Sequence, residues 1–185
     1  MSLESDVVNV LRTDPAGRIA YSLERSAVNR TQMELVAKAI ESGDIVVEIG
    51  PPDTKFDANY STYRNRRLDP GEKKIIGKIV VRHASVTSRP IGRAGVFHES
   101  VHALADIRQD NISVHNGEEA LAYIADAMYL RATKTTVSGS PEAVAIYKAA
   151  FEIVDERKML TKSGVTLKWS DCDDLIKAIT VVYGP

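Results

Sequence analysis

The stretch Gly95-Val96-Phe97-His98-Glu99-Ser100-Val101-His102-Ala103-Leu104-Ala105 decides how this chain is read. It contains the pattern H-E-x-x-H, flanked by small and apolar residues that continue a helix on both sides. Residues four apart on a helix project from nearly the same face, so the imidazoles of His98 and His102 can grip one metal ion. Glu99, between them, falls beside the water that such an ion would carry, the place of a general base. Two nitrogen donors and a carboxylate base point to Zn2+, with His98 and His102 as ligands and Glu99 as the catalytic residue.

A hydrolytic zinc site needs three protein ligands and an open position, so the chain must supply one more donor. A histidine six residues beyond His102 is ruled out, because position 108 is Arg. Asp106 lies one turn on along the same face, about 6 Å further by helix rise, which suits a hydrogen bond to a ligand better than the metal itself. The remaining route is a glutamate at the start of the following helix, where Glu118 and Glu119 stand side by side.

From Arg93 to Leu130, about a fifth of the chain, the sequence resembles the gluzincin peptidases, in which a downstream helix gives a glutamate as third zinc ligand. Their E-x-x-A or E-x-x-S pattern is matched by Glu119-Ala120-Leu121-Ala122, the small residue allowing close packing on the motif helix. The resemblance therefore favours Glu119 as the third metal ligand, with Glu118 as the alternative. It also implies an orienting role for Asp126, two turns later. The compact ImmA/IrrE-type peptidases are similar in placing a strand before the motif helix and an E-x-x-A helix after it. The asparagine and phenylalanine that usually follow their third ligand are replaced here by Tyr123 and Ile124.

Composition narrows the remaining classes. The 185 residues, 44% hydrophobic and 26% charged, suit one globular domain spanning 1–185. The balance of 24 basic against 25 acidic residues argues against a broad nucleic-acid-binding surface, so nucleic acid is not expected as a partner. The short run Tyr63-Arg64-Asn65-Arg66-Arg67 reads as a solvated loop or a contact for an anionic partner. Cys172 is the single cysteine, so no intrachain disulfide and no cysteine zinc site can form. No apolar run approaches a membrane span and no secretory signal is visible, so the expected location is cytoplasmic, or outside the cell by a route without a cleaved signal.

Periodicity orders the elements. Helices are expected over Asp6–Leu11, Gly17–Ser26 and Thr31–Ser42, the last closed by Gly43. Asp44–Ile49 reads as a strand, Phe56–Gly71 as loop, and Ile75–Val86 as strand again, with Gly77 marking a bulge or a close backbone approach. The motif helix runs from about Gly92 to Arg108 and the ligand helix from Glu118 to about Ala132. A further helix starts at Ser140-Pro141 and ends near Glu156. Gly164–Trp169 is a short strand, and Ser170 is expected to cap the last helix. His83 and His115 read as structural or loop histidines, Tyr123 and Tyr129 as core or rim aromatics. Tyr183 is a candidate donor to an oxyanion with no more sequence support than any other tyrosine.

The expected fold is α+β, mainly helical, with a small sheet against the motif and ligand helices. The resemblance to the gluzincins implies that the strand before the motif helix edges the cleft, with Ile79 to Ala84 as the candidates for an edge where an extended peptide can add as a strand. The expected function is hydrolysis of peptide bonds in a protein or peptide substrate by a zinc-dependent metallopeptidase. The alternatives are a non-catalytic zinc-binding regulatory or interaction module, and a peptidase serving as toxin or effector.

Overall fold

The computed structural model describes residues 2–13, 15–51, 57–63, 74–110, 112, 114 and 116–184. The chain is α+β and mainly helical, with six α-helices and two three-stranded sheets among the described residues. Helix α1 (Leu3–Arg12) starts where the Ser2 hydroxyl accepts from the Ser5 amide, and α2 (Arg30–Glu41) where Asn29 Oδ1 accepts from Gln32. Both present an apolar stripe to the core, Val7, Val10 and Leu11 from α1 and Met33, Val36, Ala37 and Ile40 from α2. Helix α2 ends as its sequence indicates: Gly43 takes φ 73°, its amide bonds to Ile40 and that of Asp44 to Ala39.

Between these helices the expected Gly17–Ser26 helix does not form. A short 3-10 turn over Ala16–Arg18 leads into a hairpin of β1 (Tyr21–Leu23) and β2 (Ser26–Val28), turned at Glu24 with φ 52°. The apolar set Ile19, Ala20 and Leu23 fits a helical spacing, but Tyr21 and Leu23 also fit the strand period. The decision is non-local: β1 pairs in parallel with β6 (Val165–Leu167), which buries Tyr21 and Leu23.

The second sheet positions the cleft. Strands β3 (Ile45–Ile49) and β5 (Gly77–Val81) run parallel, and β4 (Ala58–Thr62) pairs antiparallel with β5 on its other side. The order β3-β5-β4 corrects two expectations. The supposed loop from Phe56 contains a strand, and β5 is the central strand, so Ile79 to Ala84 do not form the edge that borders the cleft. That edge is β4. Strand β5 also stops at Val81, because Ala84–Ser88 wind into a 3-10 turn ahead of the motif helix.

Gly77 fills the role its sequence position suggested. A Cβ there would collide with the hydroxyl and ring of Tyr60 and approach the Ser61 carbonyl oxygen to 2.6 Å, so the close approach of β4 requires glycine.

Helix α3 (Pro90–Arg108) carries the motif through the middle of the molecule, packed by α1, α2, α4 (Gly117–Ala132), β4 and β5. Its buried residues occur on all sides, from Gly92 through Phe97 to Ala105, which is the pattern of an interior helix. Helix α4 is buried along its length too, and Phe97 meets Tyr129 across the pair with ring centroids 5.9 Å apart. Helix α5 (Pro141–Glu156), capped by the Ser140 hydroxyl as expected, covers α4. Helix α6 (Asp173–Tyr183) lies against α5 and α4. Ser170 is not its cap: it sits within a 3-10 turn in which Asp171 accepts from the Lys168 amide and pairs with Arg157, and the helix begins after Cys172. Among the described residues no helix is long and apolar enough to cross a membrane.

Candidate metal centre

Helix α3 turns one stripe, Gly95, His98, Glu99, His102 and Asp106, into a cavity of about 350 Å³. Helix α4 answers with Glu119, Tyr123 and Asp126, spaced at four and three residues and so on one face. Ala122, the small residue of the E-x-x-A pattern, is fully buried. β4 borders the cavity through Ala58, Asn59, Tyr60 and Thr62, while Tyr147 of α5 and Tyr183 of α6 complete the wall.

At its centre three side chains converge. His98 Nε2 and His102 Nε2 are 3.3 Å apart, His98 Nε2 is 3.5 Å from Glu119 Oε2, and His102 Nε2 is 3.5 Å from Glu119 Oε1. A tetrahedral ion with bonds of ~2.0–2.1 Å sets its ligands ~3.3–3.4 Å apart, so the spacing is that of ligands around one small cation. His98, His102 and Glu119 can hold a metal ion together. The buried Glu119 Oε2 has no hydrogen-bond partner in the structure, an oxygen that a cation would satisfy.

The other acidic residues stand one step back. Glu118 Oε1 lies 2.7 Å from His102 Nδ1, on the side of the ring away from the convergent Nε2 atoms. Adjacent glutamates thus take different places: Glu119 points into the centre, and Glu118 orients a histidine from behind. Asp126 approaches His98 Nδ1 at 3.9 Å, ion-pair range rather than hydrogen-bond range, and accepts a short hydrogen bond from the Tyr147 hydroxyl. Asp106, the sequence's other candidate, accepts from the Tyr60 hydroxyl at 2.9 Å and lies outside the convergent trio.

Glu99 is nearly buried, and its Oε2 accepts from the Tyr60 backbone amide at 2.7 Å. Tyr60 therefore ties the edge strand to α3 twice, through its amide to Glu99 and through its hydroxyl to Asp106. No periodicity in Ala58-Asn59-Tyr60-Ser61-Thr62 marks this contact in advance. Tyr147 was equally invisible, since its spacing is that of an ordinary helix aromatic.

The electrostatics describe a pocket made for positive charge. Burial lifts the Glu99 carboxyl above its ordinary range, partly offset by the two histidines. Burial would lower both imidazoles, but Glu119 and Glu99 beside His98, and Glu118 and Glu119 beside His102, more than reverse it. Both are raised, His102 to about 9. Glu119 is correspondingly lowered: its own burial is outweighed by the neighbouring His98 and His102 imidazoles. Burial pushes Asp126 up to about 6. Carboxylates that draw protons onto two imidazoles would draw a dication in their place.

His83 sits apart from this cluster, its Nδ1 3.0 Å from the Ser85 hydroxyl, as a structural histidine. His115 and the run Arg64–Arg67 lie outside the described residues. The protein-family models, the curated proteins and the solved structures compared with the chain give no match.

Proposed function

We propose that this chain is a zinc-dependent metallopeptidase, with His98, His102 and Glu119 as zinc ligands and Glu99 as general base. The observation that carries the reading is the 3.3–3.5 Å triangle of two Nε2 atoms and the Glu119 carboxylate, beside a buried carboxylate on the same helix. Zinc suits two imidazoles and one carboxylate, and when bound it lowers the pKa of a water towards ~7 and polarises a carbonyl. Glu99 accepts the proton of the attacking water and passes it to the departing amine nitrogen. Its pKa, raised by burial, suits a group that must both take and release a proton. The Tyr60 amide holds the Glu99 carboxylate, and Glu118, the residue before Glu119, holds the His102 ring. An extended peptide lies along β4, the edge strand that borders the cleft.

A non-catalytic zinc module has no use for Glu99, which separates that alternative experimentally. Purified protein is expected to carry about one zinc per chain and to cleave a mixed fluorogenic peptide library in a chelator-sensitive way. Glu99→Gln should keep the zinc and lose ~10²–10⁴-fold in turnover. Zinc binding with library cleavage undiminished in Glu99→Gln, or with no cleavage by the parent protein, would overturn the peptidase reading.

A further inference from the structure

Resting on the peptidase reading, we infer that Tyr183 is a further catalytic residue, its hydroxyl donating to the carbonyl oxygen of the peptide group under attack. Tyr123 positions it from behind. Tyr183 shares the cavity wall with His98, Glu99 and Glu119. Its hydroxyl lies 2.9 Å from that of Tyr123, whose ring meets His98 edge-on with centroids 4.7 Å apart. Two hydroxyls carry two protons and spend one on each other, so the second is left for another acceptor. Tyr123 is 2% exposed whereas Tyr183, which also lines the cavity, is 42% exposed, so that proton belongs on Tyr183, with Tyr123 donating to its oxygen.

Burial and the nearby Glu119 and Glu99 carboxylates push Tyr183 up to about 12, outweighing its bond with Tyr123, so the hydroxyl stays protonated at neutral pH. Its placement is fixed independently of the site. Asn116 Nδ2 donates to Thr180 Oγ1 at 3.1 Å and to the Gly184 carbonyl at 3.2 Å. Asn116 is also the N-cap residue of α4, three positions before Glu119, with φ 57°. The end of α6 that carries Tyr183 is therefore fastened to the start of the helix that carries Glu119.

The chemistry asks for such a donor. As water oxygen bonds to the carbonyl carbon, the π pair moves onto the carbonyl oxygen, and the water proton goes to Glu99. A hydroxyl aimed at that oxygen strengthens its hydrogen bond as the charge grows. Tyr183 keeps its proton throughout.

The test uses zinc-loaded full-length protein and three readouts: zinc affinity, the kcat and KM for a library-derived fluorogenic peptide, and the binding of two probes. An N-phosphoryl dipeptide presents tetrahedral anionic oxygens; a thiol dipeptide engages the metal without them. Tyr183→Phe is expected to keep zinc affinity and thiol binding, to lower kcat ~10²–10³-fold with little change in KM, and to weaken the phosphoryl probe in step. Tyr123→Phe should show a smaller loss of the same kind. Unchanged kcat and phosphoryl affinity in Tyr183→Phe would overturn the assignment, as would equal loss of both probes, which marks a collapsed cleft. If the parent protein binds neither probe and cleaves nothing, the peptidase reading itself fails and Tyr183 loses its role with it.

Discussion

Exchange of Glu118 and Glu119, each to glutamine, separates the two places these neighbours occupy. Glutamine keeps size and hydrogen bonding while removing the anionic oxygen. Structural zinc sites with four ligands are worth ~10–16 kcal/mol, or roughly 2.5–4 kcal/mol for each ligand. Glu119 contributes both oxygens to the central triangle, at 3.5 Å from each histidine Nε2, so Glu119→Gln should lose roughly 10²–10³-fold in zinc affinity. Glu118 touches only the far side of His102, at 2.7 Å from Nδ1, and its side chain is 44% exposed. Loss of such an orienting partner typically costs ~10–100-fold, and exposure places Glu118→Gln at the low end of that range. Competition against a chromophoric chelator at fixed pH measures both constants on one scale. A larger loss in Glu118→Gln than in Glu119→Gln would refute the assignment. Equal, negligible losses would remove α4 from the metal site altogether.

Zinc affinity should rise with pH up to about 9, because the metal needs a neutral His102 and the metal-free protein holds it protonated below that value. For the metal-free fold the sign is opposite. His102 is raised above its ordinary ~6.5, so its contribution to stability is full below that value and lost as pH climbs through about 9. Melting of metal-free and zinc-loaded protein across pH 6–9.5 checks both, and a zinc shift that shrinks with rising pH contradicts them. Asp126→Asn should weaken zinc ~10–100-fold through the orientation of His98. It should not lower the melting temperature of the metal-free protein at neutral pH, since it removes a carboxylate that burial disfavours; affinity within twofold of the parent would show that His98 is held by other groups. Gly77→Ala should cost about 1–3 kcal/mol in denaturant unfolding, because the added methyl meets the Ser61 carbonyl and the Tyr60 ring together. An unchanged midpoint would mean that β4 moves aside freely.

How much of this was legible follows from the range of the interactions. Helices α2, α3, α4 and α5 were readable because their signals are local: a 3.6-residue apolar stripe, Asn or Ser caps, Pro141 at a first turn, Gly43 just past an end. The histidine pair was readable for the same reason, four residues being one helical turn. Strands β1 and β4 were not. Tyr21–Leu23 is a strand because Val165–Leu167, far along the chain, pairs with it. Ala58–Thr62 is one because Gly77–Val81 accepts it and α3 takes its Tyr60 amide and hydroxyl.

The same distinction governs the edge of the cleft. In sequence, the strand ahead of the motif helix is β5, which the resemblance to the gluzincins makes the candidate for a peptide to join, and its own run is apolar. That apolar run is the evidence against it: Ile79, Val80 and Val81 are all buried, as a strand flanked on both sides must be. The edge falls to the polar strand, since Asn59, Tyr60, Ser61 and Thr62 are residues that a sheet border and a polar cavity both tolerate. Because the Tyr60 amide reaches Glu99, its hydroxyl reaches Asp106 and its ring lies over Gly77, one residue of that strand sets the distance between the border of the cleft and Glu99. On the proposed function, a peptide added along β4 would therefore take its place beside Glu99 on a strand that Tyr60 fixes to the motif helix.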